Sequence, residues 1–332
     1  MVIDQRNAGA SITQTTADLF PTDRWNITGT VTSKFTAQQN AGSVTPPAGY
    51  VNYLGMTSSS AYTVGAAESF IVRQKIEGFN TADLAWGTAN AKTVTLSFQV
   101  YSSLTGTFGG ALINSAGNRS YPFSYTISSA NTWEQKTITI AGDTSGTWVT
   151  NSGIGIQVVF NMGTGATYSG TAGSWAATYY ASATGAVSVV GTASATFYIT
   201  GVQLEAGSTA SPFEYRSYGT ELMLCQRYLP ALLGGPNFYS GQATGTTSSQ
   251  ISIPLKVTSR VAPTGITVVS TTANFLYTTN GTSSAVTTIT FTAAGTDSAF
   301  LSVATASGLV AGNATGFLMQ SPSTIVFTGC EL

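Results

Sequence analysis

"KTVTLSFQVYSS", residues 92–103, decides the fold: Val94, Leu96, Phe98 and Val100 alternate with Thr95, Ser97 and Gln99. Successive side chains of a strand point to opposite sides, so apolar residues at every second position mark a strand with one buried face. "YPFSYTISS" (121–129) and "WEQKTITIAG" (133–142) behave the same way, and "GIGIQVVFNMG" (153–163) and "ATFYITGVQLEAG" (195–207) complete the set. Gly, Asn and Ser separate these runs, and the spacing predicts an antiparallel β-sandwich. Strands do not alternate with amphipathic helices, which excludes a parallel α/β fold.

Composition agrees. Thr (54), Ser (38) and Gly (36) make up 128 of 332 residues, while charged residues are 8%. Thr suits a pleated strand and Ser and Gly suit turns. A hydrophobic content of 42% supplies real cores and excludes disorder. The length allows two domains.

Past Pro212 the pattern changes. "YGTELMLCQRYL" (218–229) places Leu222, Cys225, Gln226 and Leu229 at helical spacing, with Glu221 in the positive first turn and Pro230 as the stop. Strand-like runs then resume at 248–257, 264–270, 287–293, 299–305 and 315–320. The expected organisation is an all-β chain: a sandwich over 1–211, a connector with a short helix over 212–230, and a smaller C-terminal β-domain over 231–332. Glu214, Arg216, Glu221 and Arg227 cluster at this joint in a charge-poor chain. Alternating acids and bases there are expected to form a domain or subunit interface.

Several function classes are excluded or weakened. Twelve basic residues are scattered without a run and the net charge is −1, so nucleic acid is not an expected partner. Histidine is absent, which removes Ser-His-Asp and Cys-His triads and His-ligated metal sites. The Gly-rich "GTGATYSGTAGSW" (163–175) lacks nucleotide-binding spacing. No apolar run reaches the ~20 residues of a membrane helix, and no membrane insertion is expected. "MVIDQRNAGASITQTT" at the N-terminus has no signal-peptide core. Cys225 and Cys330 flank the second domain and read either as a disulfide or as two small buried residues. Glycoside hydrolysis needs two carboxylates, for which Glu68, Glu77, Asp83, Glu134 and Asp143 are candidates; Glu77 and Asp83 share "KIEGFNTADLAWG" with Phe79 and Trp86, yet any chain this long has such pairs by chance and no enzyme is expected. Glycan binding suits the chain better: Trp175, Tyr179 and Tyr180 share one long loop, and aromatic faces beside hydroxyl groups accept sugars. No cofactor is expected apart from a candidate structural calcium, for which Asp4 and Glu205 are the nearest oxygen donors if the first and last sandwich strands are neighbours.

The blocks "KTVTLSFQVYSSLTGTF", "YTISSANTWEQKTITIAGDTSGTW" and "ATFYITGVQLEAGSTASPFEYRSYGTELMLCQRYLP" resemble a module of tail-fibre-like and other virion proteins of bacteriophages. The first two also look like jelly-roll carbohydrate-binding modules, notably in the turn from Asn131 to Glu134. The resemblance covers residues 3 to about 230, and its most specific part is 198–230. It implies a jelly-roll sandwich in a structural virion subunit: a homotrimeric tail fibre, assembled in the host cytoplasm, that contacts a host-surface glycan and other virion proteins or an adaptor. A capsid fibre or decoration protein is the alternative, followed by a stand-alone glycan-binding module. The resemblance supplies no catalytic residues, and the β-helix repeat expected of a depolymerase tailspike is missing.

Overall fold

The computed structural model describes residues 1–235, 237–269, 275–279, 282–320 and 323–332. The chain divides into two compact units, Met1–Arg216 with Leu332, and Ser217–Glu331.

The first unit begins with β1 (Ile12–Thr13), β2 (Leu19–Thr22), β3 (Trp25–Gly29), β4 (Phe35–Gln39) and β5 (Leu54–Ser58). Next come β6 (Ser69–Glu77), β7 (Val94–Ser102), β8 (Gly106–Asn114), β9 (Ser120–Ile127) and β10 (Glu134–Ile140). It closes with β11 (Ile154–Thr164), β12 (Ser169–Gly170), β13 (Ser182–Ala183) and β14 (Thr196–Ala206). Two six-stranded antiparallel sheets form, one in the order β1-β4-β5-β14-β7-β10 and one in the order β2-β3-β6-β11-β8-β9. The opening stretch is β7, at the centre of the first sheet's long pairings with β14 and β10. Its Val94, Leu96, Phe98 and Val100 enter the core between the sheets, where they meet Phe123, Ile156, Val158 and Phe160 of the second sheet. Each such side chain stabilises the fold by roughly 1.5–3 kcal/mol through removal of apolar surface from water.

Strand β11 departs from the alternation expected of 153–163. Nine consecutive residues, Gly155 to Gly163, are buried. The cause is a cover on the sheet's outer face, where Ile71, Ala111, Ile113, Val159 and Ala181 form a second small core with Tyr179 packed on it. A strand covered on both faces loses its period-2 signature.

The second unit opens with helix α1 (Tyr218–Gln226), capped by the Ser217 hydroxyl accepting from Thr220 N at 3.4 Å. The helix stops three residues before the end of the expected 218–229 run. Strands β15 (Ala231–Leu233), β16 (Asn237–Ala243), β17 (Ser248–Pro254), β18 (Gly265–Val268) and β19 (Phe275–Thr279) follow. The unit ends with β20 (Thr282–Ala294), β21 (Ser298–Thr305), β22 (Ala314–Met319) and β23 (Thr324–Thr328). Six of them close into a barrel, β16-β17-β21-β20-β19-β22, and three form a sheet, β15-β23-β18. Closure leaves the barrel without a free edge. Ile251, Ile253, Leu301, Val303, Phe275 and Phe317 are among the side chains that fill it. Ser270, the last residue of the expected strand 264–270, lies outside the described residues. Cys225 and Cys330 are both buried and neither is in a disulfide.

Candidate functional site

The loop 165–187 carries the three aromatic residues expected to meet a glycan. It is tied to the sandwich by a β-bridge between Ser120 and Ala176 and by Gly173 N donating to Pro122 O at 2.9 Å. Trp175 is half-buried, with exposed Ser174 and Thr178 nearby in sequence. Its ring packs edge-on to Trp86 (5.3 Å), Trp148 (5.5 Å) and Tyr121 (5.2 Å), and its Nε1 donates to Ala141 O at 2.7 Å. Trp86 and Trp148 below it are themselves fixed, their Nε1 atoms donating to Lys92 O at 2.8 Å and Ser145 O at 3.2 Å. The segment carrying Trp148 is held by Asp143, whose carboxylate accepts Arg119 Nε and Nη2 at 2.7 Å each and Ser145 N at 3.0 Å. Trp175 is therefore held from several sides, half-buried and packed against the sandwich core. Tyr179 and Tyr180 are arranged differently. Tyr179 stands edge-on to Tyr168 on the second sheet's outer face, where burial raises its phenol. Tyr180 lies against Gly170, where a Cβ would fall 2.3 Å from its ring. All three rings are half-buried: Trp175 is held by other aromatic rings of the sandwich, and Tyr179 and Tyr180 pack against Tyr168 and Gly170 of the loop itself.

The first sheet's outer face holds a second aromatic group. Tyr198 and Tyr101 stack nearly parallel at 5.3 Å, and Tyr53 and Trp133 close the cluster. The β4–β5 loop covers them: Tyr53 OH donates to Ala41 O at 2.5 Å, and Trp133 Nε1 donates across the sheet to Thr45 O at 2.9 Å. The remaining part of this face is covered by the chain leaving β14. Thr95 and Thr139 hydroxyls donate to Gly207 O (2.8 Å) and Ser208 O (3.2 Å). Glu205 accepts Ser211 N and Oγ at 2.8 and 2.6 Å, and Gln203 Oε1 accepts Glu214 N at 2.9 Å. The Ser211 hydrogen bonds hold the Glu205 carboxyl below its ordinary range.

The calcium candidates serve separate segments. Asp4 accepts Asn7 N (2.9 Å) and Gly9 N (2.7 Å) in the N-terminal turn, while Glu205 holds the exit from β14. Among the described residues no three His, Cys, Asp or Glu side chains gather in a metal-holding group. The hydrolytic candidates have separate local settings. Glu68 accepts from Tyr62 OH and Gly65 N, Asp143 from Arg119, and Glu134 from Lys136 and the Ser128 and Ser129 amides. Glu77 is buried, and Asp83 lies in a short 3-10 turn, Ala82–Leu84. Of the expected interface residues, Glu214 and Arg216 pair at 3.0 Å on the surface of the first unit. Glu221 sits in the first turn of α1, and Arg227, just past it, donates to Thr258 O at 3.4 Å.

One feature the sequence shows only once the site is known is charge. From Thr144 to Leu204 there is no charged residue, so the whole Trp175 loop offers hydroxyls, amides and rings alone.

No family model and no curated protein matches the chain. Among solved structures it is similar to the enzymatically active domain of tailspike protein 4 of bacteriophage CBA120, at 10% identity and a TM-score of 0.31. That alignment covers 55% of this chain and 19% of the tailspike chain. A family 4 carbohydrate-binding module aligns at 14% identity and a TM-score of 0.30, over 62% of this chain and 93% of that one. The family 11 carbohydrate-binding module of Clostridium thermocellum, solved with a β-1,3-1,4-mixed-linked tetrasaccharide, aligns at 10% and 0.30 over 60% and 98%. At these values no residue role transfers from any of them.

Proposed function

We propose that this chain is a non-catalytic structural subunit of a bacteriophage virion, a homotrimeric tail fibre, and that its sandwich recognises a glycan of the host surface through Trp175. The observation that carries the reading is the fixed, half-buried Trp175 ring, held by three aromatic neighbours and the bond to Ala141 O. A sugar ring stacks its apolar face on such a surface, and a ring already immobilised loses little entropy on binding. The uncharged run 144–204 favours a neutral, hydroxyl-rich ligand over an ionic one. The sequence resemblance of 198–230 to phage virion modules supports the setting, and a neutral Thr/Ser-rich surface suits a subunit that packs against copies of itself. The test is incubation of host cells with purified protein, followed by phage challenge. Cell binding that also blocks adsorption is expected. A correctly assembled oligomer that does not bind would move the chain to a capsid or tail subunit without a receptor role.

A further inference from the structure

Residues 49–50 and 213–216 meet on the surface of the first unit and form a third aromatic group, remote in sequence from the Trp175 loop. Tyr50 packs against Phe213 at 5.3 Å and Tyr215 at 5.7 Å, and Phe213 stands edge-on to Tyr215 at 5.1 Å. Two glycines make the approach feasible. Gly201, at φ +58 within the register shift of β14, would place a Cβ 2.5 Å from the Tyr50 hydroxyl. Gly49, at φ +89, would place one 2.6 Å from the Tyr215 hydroxyl. The segment bearing Phe213 and Tyr215 is pinned by the Glu205–Ser211 and Gln203–Glu214 bonds already described. The group is thus rigid, as the Trp175 ring is, but more open: Tyr215 is 61% exposed. Beside it Arg216 Nη2 donates to Glu214 Oε2 at 3.0 Å, and both side chains reach solvent.

Of the three rings Tyr215 is exposed, while Tyr50 and Phe213 are half-buried and back it. Tyr215 offers an apolar face for the C–H side of a sugar, and the Glu214 carboxylate and Arg216 guanidinium are placed to exchange hydrogen bonds with a vicinal diol. We infer that Tyr50, Phe213 and Tyr215, with Glu214 and Arg216, form a second carbohydrate subsite that stacks a hexose ring on Tyr215. It rests on the glycan-recognition reading above and adds a site built from different elements.

The test uses the full chain on an array of neutral hexose and hexosamine oligosaccharides from bacterial envelopes. Wild type, Tyr215→Ala, Tyr215→Trp and Trp175→Leu are compared, with sedimentation mass measured for each. Tyr215→Ala should weaken binding about tenfold, as the loss of one aromatic stack implies, with mass unchanged, and Tyr215→Trp should restore it. Unaltered binding by Tyr215→Ala, alongside loss in Trp175→Leu, would overturn the second subsite and leave the first reading standing. A changed mass in Tyr215→Ala would overturn it in favour of a contact between copies. Wild-type protein that binds no glycan on the array would overturn both.

Discussion

Replacing Arg119 by Ala should destabilise the first unit by about 3–5 kcal/mol, the usual consequence of removing one partner from a buried ion pair. The Asp143 side chain is 2% exposed and its two oxygens accept both Arg119 bonds. Without the guanidinium, one oxygen keeps only Ser145 N and the other loses the partner described for it, on a side chain that is 2% exposed. The Arg119 stem also covers Gly146, where a Cβ would fall 2.5 Å from Cγ, so packing is lost as well. The double variant Arg119→Met/Asp143→Leu removes the charge with its partner. It should recover most of the loss, because apolar replacements of a buried pair are often neutral or stabilising. Urea unfolding followed by tryptophan emission is the suitable assay, since Trp148 is bonded to Ser145 O in the segment that Asp143 organises. A loss below about 1 kcal/mol in Arg119→Ala, the range of a surface pair, would refute the claim that this pair supports the floor beneath Trp175.

Other outcomes are equally specific. Burial alone would raise the Asp18 carboxyl, but Arg73 and Lys75 outweigh it and hold it below 3.8. Its contribution to stability is therefore present above that pH and lost as pH falls through the lower folded-state value. Asp18→Asn should flatten the acid limb of a stability-versus-pH curve, and an unchanged limb would contradict the pairing. Gly201→Ala should cost at least about 1–2 kcal/mol for a left-handed alanine and should displace Tyr50, measurable as a lowered urea midpoint and altered tyrosine emission. Since Cys225 and Cys330 are not bridged, dithiothreitol should leave the melting temperature unchanged. A bridge would have contributed roughly 2–4 kcal/mol, readily seen as a fall in the midpoint.

The strand β7 was legible because the residues on its covered outer face, Thr95, Ser97 and Gln99, are polar, so the alternation with Val94, Leu96, Phe98 and Val100 survives although Thr95 and Ser97 are buried. Strand β11 was legible as a strand but not as a doubly covered one, since its outer cover comes from Tyr179 and Ala181, which are distant in sequence. In the second unit, β16 reads "NFYSGQA", whose Gly and polar residues imitate a turn, and its pairing with β22 spans most of the unit. Barrel closure follows from that long-range pairing and has no local signature. The site shows the same division. Sequence marks Trp175 as an aromatic residue in a long loop but cannot show that Trp86, Trp148 and Tyr121 converge beneath it. In 198–230 the charges of Glu214 and Arg216 are the conspicuous local signal, while the neighbouring Phe213 and Tyr215 form an aromatic pair on the surface. The available signal was Gly49 next to Tyr50 and Gly201 within a strand, where a glycine marks a bulge or a close approach.

The central claim is tested most directly by retention on immobilised bacterial envelope polysaccharide, comparing wild type with Trp175→Leu and Trp175→Phe at matched thermal midpoints. Wild type should be retained, Trp175→Phe should keep part of the affinity through its ring, and Trp175→Leu should bind about tenfold more weakly or not at all. Equal retention of all three, or of none, would contradict glycan recognition through Trp175.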